Sequence, residues 1–187
     1  TNIAFNINSL AFMPMVGLGI AVSTLVGQRL GQNRPDLAER STRSASIVAL
    51  IYMGTLAVGY ALAPDLFLAP FARGADPAAF AEVRRITAVL LKFVAVYCLF
   101  DAMYFAFSSA LKGAGDTRFV MVVSLALSWG VMALPSYIAW RMGWGLYAIW
   151  TSATVYIMIL GTTFYLRFRG GKWKSMRVIE QEPEEAG

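Results

Sequence analysis

Residues 86–111 read ITAVLLKFVAVYCLFDAMYFAFSSAL, an apolar run in which only Lys92 and Asp101 carry a formal charge at neutral pH. The run is longer than the ~20 predominantly apolar residues a helix needs to cross a bilayer. It is too long for a strand, and an open sheet edge cannot face lipid. It therefore predicts a transmembrane helix, with Asp76 as N-cap and Pro77 at the first helical position.

Outward from this segment the pattern repeats. Spans are predicted from Ile3 to Leu30, from Thr42 to Ala63 with a stop at Pro64, from Pro77 to Leu111, from Thr117 to near Trp140, and from Gly145 to Leu166. The fold class is an all-α membrane protein, a polytopic bundle of five transmembrane helices. Asn2, Asn6, Asn8 and Ser9 make the start of the first span unusually polar. The segment from Pro64 to Asp76 is apolar through Leu66, Phe67, Leu68 and Phe71 but too short to span. It reads either as a short helix lying in the headgroups or as a loop packed on the helix ends.

Composition narrows the chemistry. Of 187 residues 58% are apolar and 14% charged, against roughly 25% charged in soluble domains, and the mean hydropathy is +0.58. There is no His, so His triads, His metal sites and His proton relays are excluded. Cys98 is the single cysteine, which leaves no disulfide framework and no thiolate cluster. No carboxylate pair lies within the spans, so neither an enzyme nor an organic cofactor is expected. The net charge of +5 would invite a nucleic-acid reading in a soluble chain. Here the basic residues flank apolar segments and read as topology signals, so the expected partner is the lipid bilayer and not nucleic acid.

Those signals are asymmetric. Arg29, Arg34, Arg40 and Arg43 follow the first span, Lys112 and Arg118 follow the third, and Arg167, Arg169, Lys172, Lys174 and Arg177 follow the fifth. The opposite side carries only Arg73, Arg84, Arg85 and Arg141. The positive-inside rule puts the richer side in the cytoplasm of a plasma (inner) membrane, the N-terminus outside and the C-terminal tail inside. Residues 1–169 are expected to form the bundle. Residues 170–187 are expected to form a cytoplasmic tail whose acidic end, Glu180 to Glu185, is solvated and disordered. An outside start at Thr1 without a signal segment reads as a piece of a longer polypeptide.

Charge inside the membrane is the sharpest functional signal. Lys92 and Asp101 are nine residues apart, which at about 100° per residue puts them on opposite faces of one helix. Lys92 lies near the outer end and is long enough to snorkel. Asp101 lies about 16 Å from the Lys112 end at 1.5 Å per residue, beyond the reach of its short stem. A charge at that depth costs about 2.5–3.5 kcal/mol on insertion scales. Tyr97, one turn earlier, is on the same face. A carboxylate and a phenol oxygen are hard ligands suited to Na⁺, a desolvated carboxyl equally suits H⁺, and a hydrogen-bonded tie between helices is the structural alternative.

The small residues Gly17, Gly19, Ala21, Gly27 and Gly31 predict close helix approach, with Gly17 and Ala21 facing another helix. Gly113 to Thr117 reads as a tight turn and an N-cap, because no strand precedes it and no G-K-[ST] follows.

Two segments carry a family resemblance. Phe12 to Ala21, continued by Val26 to Gln32, resembles the second helix and following loop of a lobe in the MATE (multidrug and toxic compound extrusion) family. Ala110 to Arg118 resembles the family's L-R-G-x-x-D-T turn, with Lys112 in place of the usual Arg. The resemblance implies helices 8–12 of a twelve-helix, two-lobe fold, with helix seven and the N-terminal lobe supplied by the rest of the polypeptide. Asp101, 11 residues before the basic residue of that turn, and Tyr97 match coupling-site residues of the Na⁺-linked branch. The implied function is cation-coupled antiport, in which drug-like, often cationic amphipathic molecules leave as Na⁺ or H⁺ enters. A non-transporting membrane scaffold and a related lipid-precursor flippase are the other readings.

Overall fold

The structure, a computed structural model, describes residues 2–72 and 77–176. Every regular element among them is helical: α1 (Asn2–Gly31), α2 (Pro35–Leu62), α3 (Pro64–Ala72), α4 (Pro77–Gly113), α5 (Thr117–Leu127), a π-helical turn (Ser128–Ala133), α6 (Leu134–Arg141), α7 (Leu146–Arg169) and a 3₁₀ turn (Lys172–Ser175). Five helical stretches are long and apolar enough to cross a membrane: Phe12–Gly31, Pro35–Leu62, Phe80–Gly113, Thr117–Arg141 and Leu146–Arg169. The chain is an all-α, integral, multi-pass membrane protein.

The expected boundaries shift in one place. α2 starts at Pro35 rather than Thr42, with the proline in its first turn. Apolarity marks where lipid begins, whereas a helix continues into water as long as its first turn is well formed. The apolar segment after Pro64 is helical, as α3, and Asp65 near its start accepts hydrogen bonds from Arg84 Nε and Nη2 of α4 at 2.6 and 2.5 Å. These hydrogen bonds hold the Asp65 carboxyl below the usual carboxylate range. Both partners are more than half exposed, so the latch adds little stability. The expected N-cap Asp76 and the acidic tail lie outside the described residues.

α4 is the axis of the bundle. It is 37 residues long and packs against α1, α2 and α7. In the apolar stretch of its span 44% of residues are buried, against 6% in the fourth span, the least buried of the five. α1 and α7 run parallel to α4. Phe12 and Gly19 of α1 meet Phe105 and Ser109, while Phe164 and Phe168 of α7 meet Tyr104 and Phe107. The fourth span is interrupted where Pro135, lacking an N–H, cannot bond the carbonyl of Val131. There the Leu134 N–H reaches back five residues to the Trp129 carbonyl.

Close approach occurs at two of the expected glycines, Gly19 and Gly27, where a Cβ would stand 2.7 Å from Ser109 Oγ and 3.3 Å from the Gly113 carbonyl oxygen, but not at Gly17 or Gly31. Gly17 and Ala21 are exposed, and a Cβ at Gly17 would meet nothing within 4 Å. The face of α1 turned inward carries Met15, Gly19, Val22 and Val26, and Gly17 lies about 200° around from Met15. The tightest contacts against backbone are Gly113 against Ser23, and Gly161, where a Cβ would stand 2.5 Å from the Phe100 carbonyl oxygen.

The turn after α4 forms as expected, with its cap rewired. Gly115 takes φ +90°, and the N–H groups of Gly115 and Asp116 bond the carbonyls of Lys112 and Leu111, a Schellman closure. Asp116 stands at the N-cap of α5 but makes no capping bond. Its Oδ2 instead accepts from Arg167 Nε of α7 at 2.8 Å, and the Arg167 guanidinium lies 4.4 Å from the centre of the Phe119 ring. A full charge on a half-buried guanidinium outcompetes neutral backbone donors for the carboxylate. Beyond α7, Trp173 stacks on Phe168 at 4.6 Å and donates from Nε1 to the Phe168 carbonyl at 2.7 Å. Lys174 pairs with Glu39 of α2.

The Asp116–Arg167 pair is 7% and 23% exposed, so removing one partner strands a charge. Arg167→Gln is expected to destabilise the protein by about 3 kcal/mol. Lys174→Gln, which breaks a pair about 40% exposed, is expected to cost less than about 1 kcal/mol. Thermal unfolding in detergent compares the two.

Candidate functional site

A cavity of about 370 Å³ opens between α1, α4, the fourth span and α7. α1 contributes Asn8, α4 contributes Tyr97, Asp101 and Tyr104, the fourth span Met132 and Ser136, and α7 Trp150 and Tyr156. Parallel packing of α1 and α4 puts Asn8 level with Asp101, and the helical repeat puts Tyr97 one turn outward of it. Asp101 and Tyr97 thus meet at one cavity, the pairing expected of them. Lys92 is exposed on the other side of α4, as the 900° separation requires.

Two side-chain oxygens in this cavity are buried without a hydrogen-bond partner among the described residues: Asp101 Oδ2 and Asn8 Oδ1. Asp101 is 1% exposed and Asn8 7%. A buried acceptor left unpaired is costly, and a buried carboxylate much more so. The two residues stand on different helices and line one space. Tyr97, Tyr104 and Tyr156 line the same cavity as Asp101. Among the described residues no group of three His, Cys, Asp or Glu could hold a metal ion. One carboxylate among neutral oxygens suits a monovalent cation or a proton rather than a transition metal. The remaining wall is apolar and aromatic, with Phe5 against Trp150 at 5.4 Å.

Sequence reasoning did not single out Asn8 as a site residue. Its signal was the polar opening of α1, where Asn8 interrupts a segment that lipid alone would have made apolar.

A bundle of this kind, with an unpaired carboxylate in an aromatic-walled intramembrane cavity, defines a polytopic membrane protein with an internal polar site. The chain belongs to the MatE family, whose model matches residues 1–138. It is 31% identical over 149 residues to the multidrug resistance protein NorM of Burkholderia vietnamiensis, covering 79% of this chain and 32% of that protein. It is 30% identical over 190 residues to a probable multidrug resistance protein NorM of Pasteurella multocida, covering 97% and 37%. With a protein of the same name from Thermotoga maritima it shares 25% identity over 181 residues, covering 96% and 38%. The chain thus spans about a third of the length of these relatives.

Proposed function

We propose that this chain is the C-terminal-lobe portion of a cation-coupled multidrug efflux transporter, not an enzyme, and that Asp101 holds the coupling cation with Tyr97 and Asn8 beside it. The observation that carries this reading is the unpaired Asp101 Oδ2 in a cavity inside the membrane. A cation that arrives and leaves accounts for a carboxylate oxygen with no partner among the described residues. The family membership and the names of the relatives support efflux of drug-like molecules. Helix seven and the N-terminal lobe belong to the rest of the polypeptide, and rocking of the two lobes alternates access.

The orientation follows from charge. Contacts from Arg167 to Asp116 and from Lys174 to Glu39 gather the basic ends of α1, α4 and α7 at one end of the bundle. That end is cytoplasmic in a plasma (inner) membrane, with the tail from residue 170 on the same side.

The test uses the whole transporter containing this chain, reconstituted in vesicles loaded with a cationic amphipathic dye such as ethidium. An imposed Na⁺ or pH gradient is expected to accelerate dye export at least about tenfold over vesicles without a gradient. Export indifferent to both gradients overturns the proposal.

A further inference from the structure

We infer that the groove between α1 and α4, running from the Asp101 cavity to Lys112, is the route by which the coupling cation leaves toward the basic end of the bundle. The inference rests on Asp101 as the coupling site and adds the path and its gate.

A second cavity of about 330 Å³ lies between α1 and α4, lined by Gly19, Ser23 and Thr24 on one side and by Tyr104, Ser108, Ser109 and Lys112 on the other. Tyr104 lines both cavities, so the two adjoin. The residues fall on matching helical stripes. Tyr97, Asp101, Tyr104, Ser108 and Lys112 recur every three or four positions on α4, and Asn8, Phe12, Gly19 and Ser23 share the facing side of α1.

The serine hydroxyls of the second cavity differ from Thr24 beside them and from most other threonines in the spans. Thr24, Thr42, Thr154 and Thr162 each donate to the carbonyl four residues earlier. Ser23, Ser108 and Ser109 bond to no other described residue, although Ser108 is only 2% exposed and Ser109 8%. Bare hydroxyls in a membrane span serve water or an ion better than lipid. Gly19 keeps one of them in place, since a Cβ there would stand 2.7 Å from Ser109 Oγ.

Between the two polar spaces sits an aromatic partition. Phe12 of α1 meets Phe105 of α4 with ring centres 5.5 Å apart, and Phe105 meets the edge of Tyr104 at 5.2 Å. The order along the groove is therefore carboxylate, aromatic gate, hydroxyl vestibule, lysine. Lys112 is exposed at the end of α4 and forms no ion pair among the described residues. Its charge makes the vestibule a poor resting place for a cation, as release requires, and opposes return from the cytoplasm.

The experiment uses the whole transporter in vesicles with Cys98 changed to Ala, under an imposed Na⁺ gradient in one arm and a pH gradient in the other. The arm that responds identifies the cation. Phe105→Ala is expected to let the cation cross without drug, raising that flux about tenfold. The flux is expected to collapse in the Phe105→Ala, Asp101→Asn double variant, because the route passes through the carboxylate. Ser108→Cys is expected to react with a membrane-impermeant thiol reagent from the tail side only. That reaction should block efflux while a cation titration of tryptophan fluorescence still reports binding at Asp101. Absence of drug-independent flux in Phe105→Ala together with an unreactive Ser108→Cys overturns the route and leaves Asp101 as coupling site untouched. A flux that survives Asp101→Asn overturns it too, because the cation then bypasses the carboxylate. Full gradient-driven efflux by Asp101→Asn alone removes the underlying reading and the route with it.

Discussion

Asp101→Asn is expected to abolish gradient-driven dye export, by about a hundredfold or more per folded molecule, while the protein inserts and purifies close to normally. Asn keeps the shape and removes the charge, and a neutral amide is cheaper to bury than a carboxylate. The alternative, Asp101 as a hydrogen-bonded tie between helices, predicts the reverse order: lost yield with preserved transport. Among the described residues Oδ2 has no partner whose bond could be lost, which weighs against the tie. Tyr97→Phe removes one neutral ligand and leaves the charge, so its expected defect is about tenfold at most. Dye export normalised to folded protein separates these outcomes, and full export per molecule by the Asn variant would rule out coupling.

The second large effect falls on packing. Gly113→Ala places a methyl group against the carbonyl and Cα of Ser23, backbone that cannot rotate away as a side chain would. Gly161→Ala does the same against the Phe100 carbonyl. Each change forces α4 away from a helix it touches along much of its length, and overpacking of this kind costs about 1–3 kcal/mol. Gly17→Ala, with open space around it, is expected to change stability by less than about 0.5 kcal/mol. The monodisperse fraction on size exclusion and the thermal midpoint report the contrast. Similar losses at Gly17 and Gly113 would sink it.

The spans were legible because membrane hydropathy is a local property. The run from Ile86 to Leu111 needs no tertiary information to be recognised. The pairing of Tyr97 with Asp101 was legible for a similar reason, since an i, i+4 relation lies within one helix. Three features were not legible, and all depend on which face of a helix turns inward. Gly17 and Ala21 have the right spacing for a packing stripe, yet the inward face of α1 is set by Met15, Val22 and Val26. Asn8 joins the site only because α1 lies parallel to α4 at the right height. Asp116 stands where a cap belongs, but its partner Arg167 is 51 residues away in sequence and arrives only when α7 docks.

The parallel pairing of α1 and α4 also bears on how the chain is made. A ribosome delivers α1 first, so a helix carrying Asn8 is already in the bilayer when the Asp101 segment emerges from the translocon. The carboxylate therefore need not wait in bare hydrocarbon for α7, the last wall of its cavity. It leaves the insertion machinery beside a polar neighbour at the matching depth. The chain order thus puts a polar side chain in the membrane ahead of the residue whose burial there is most costly.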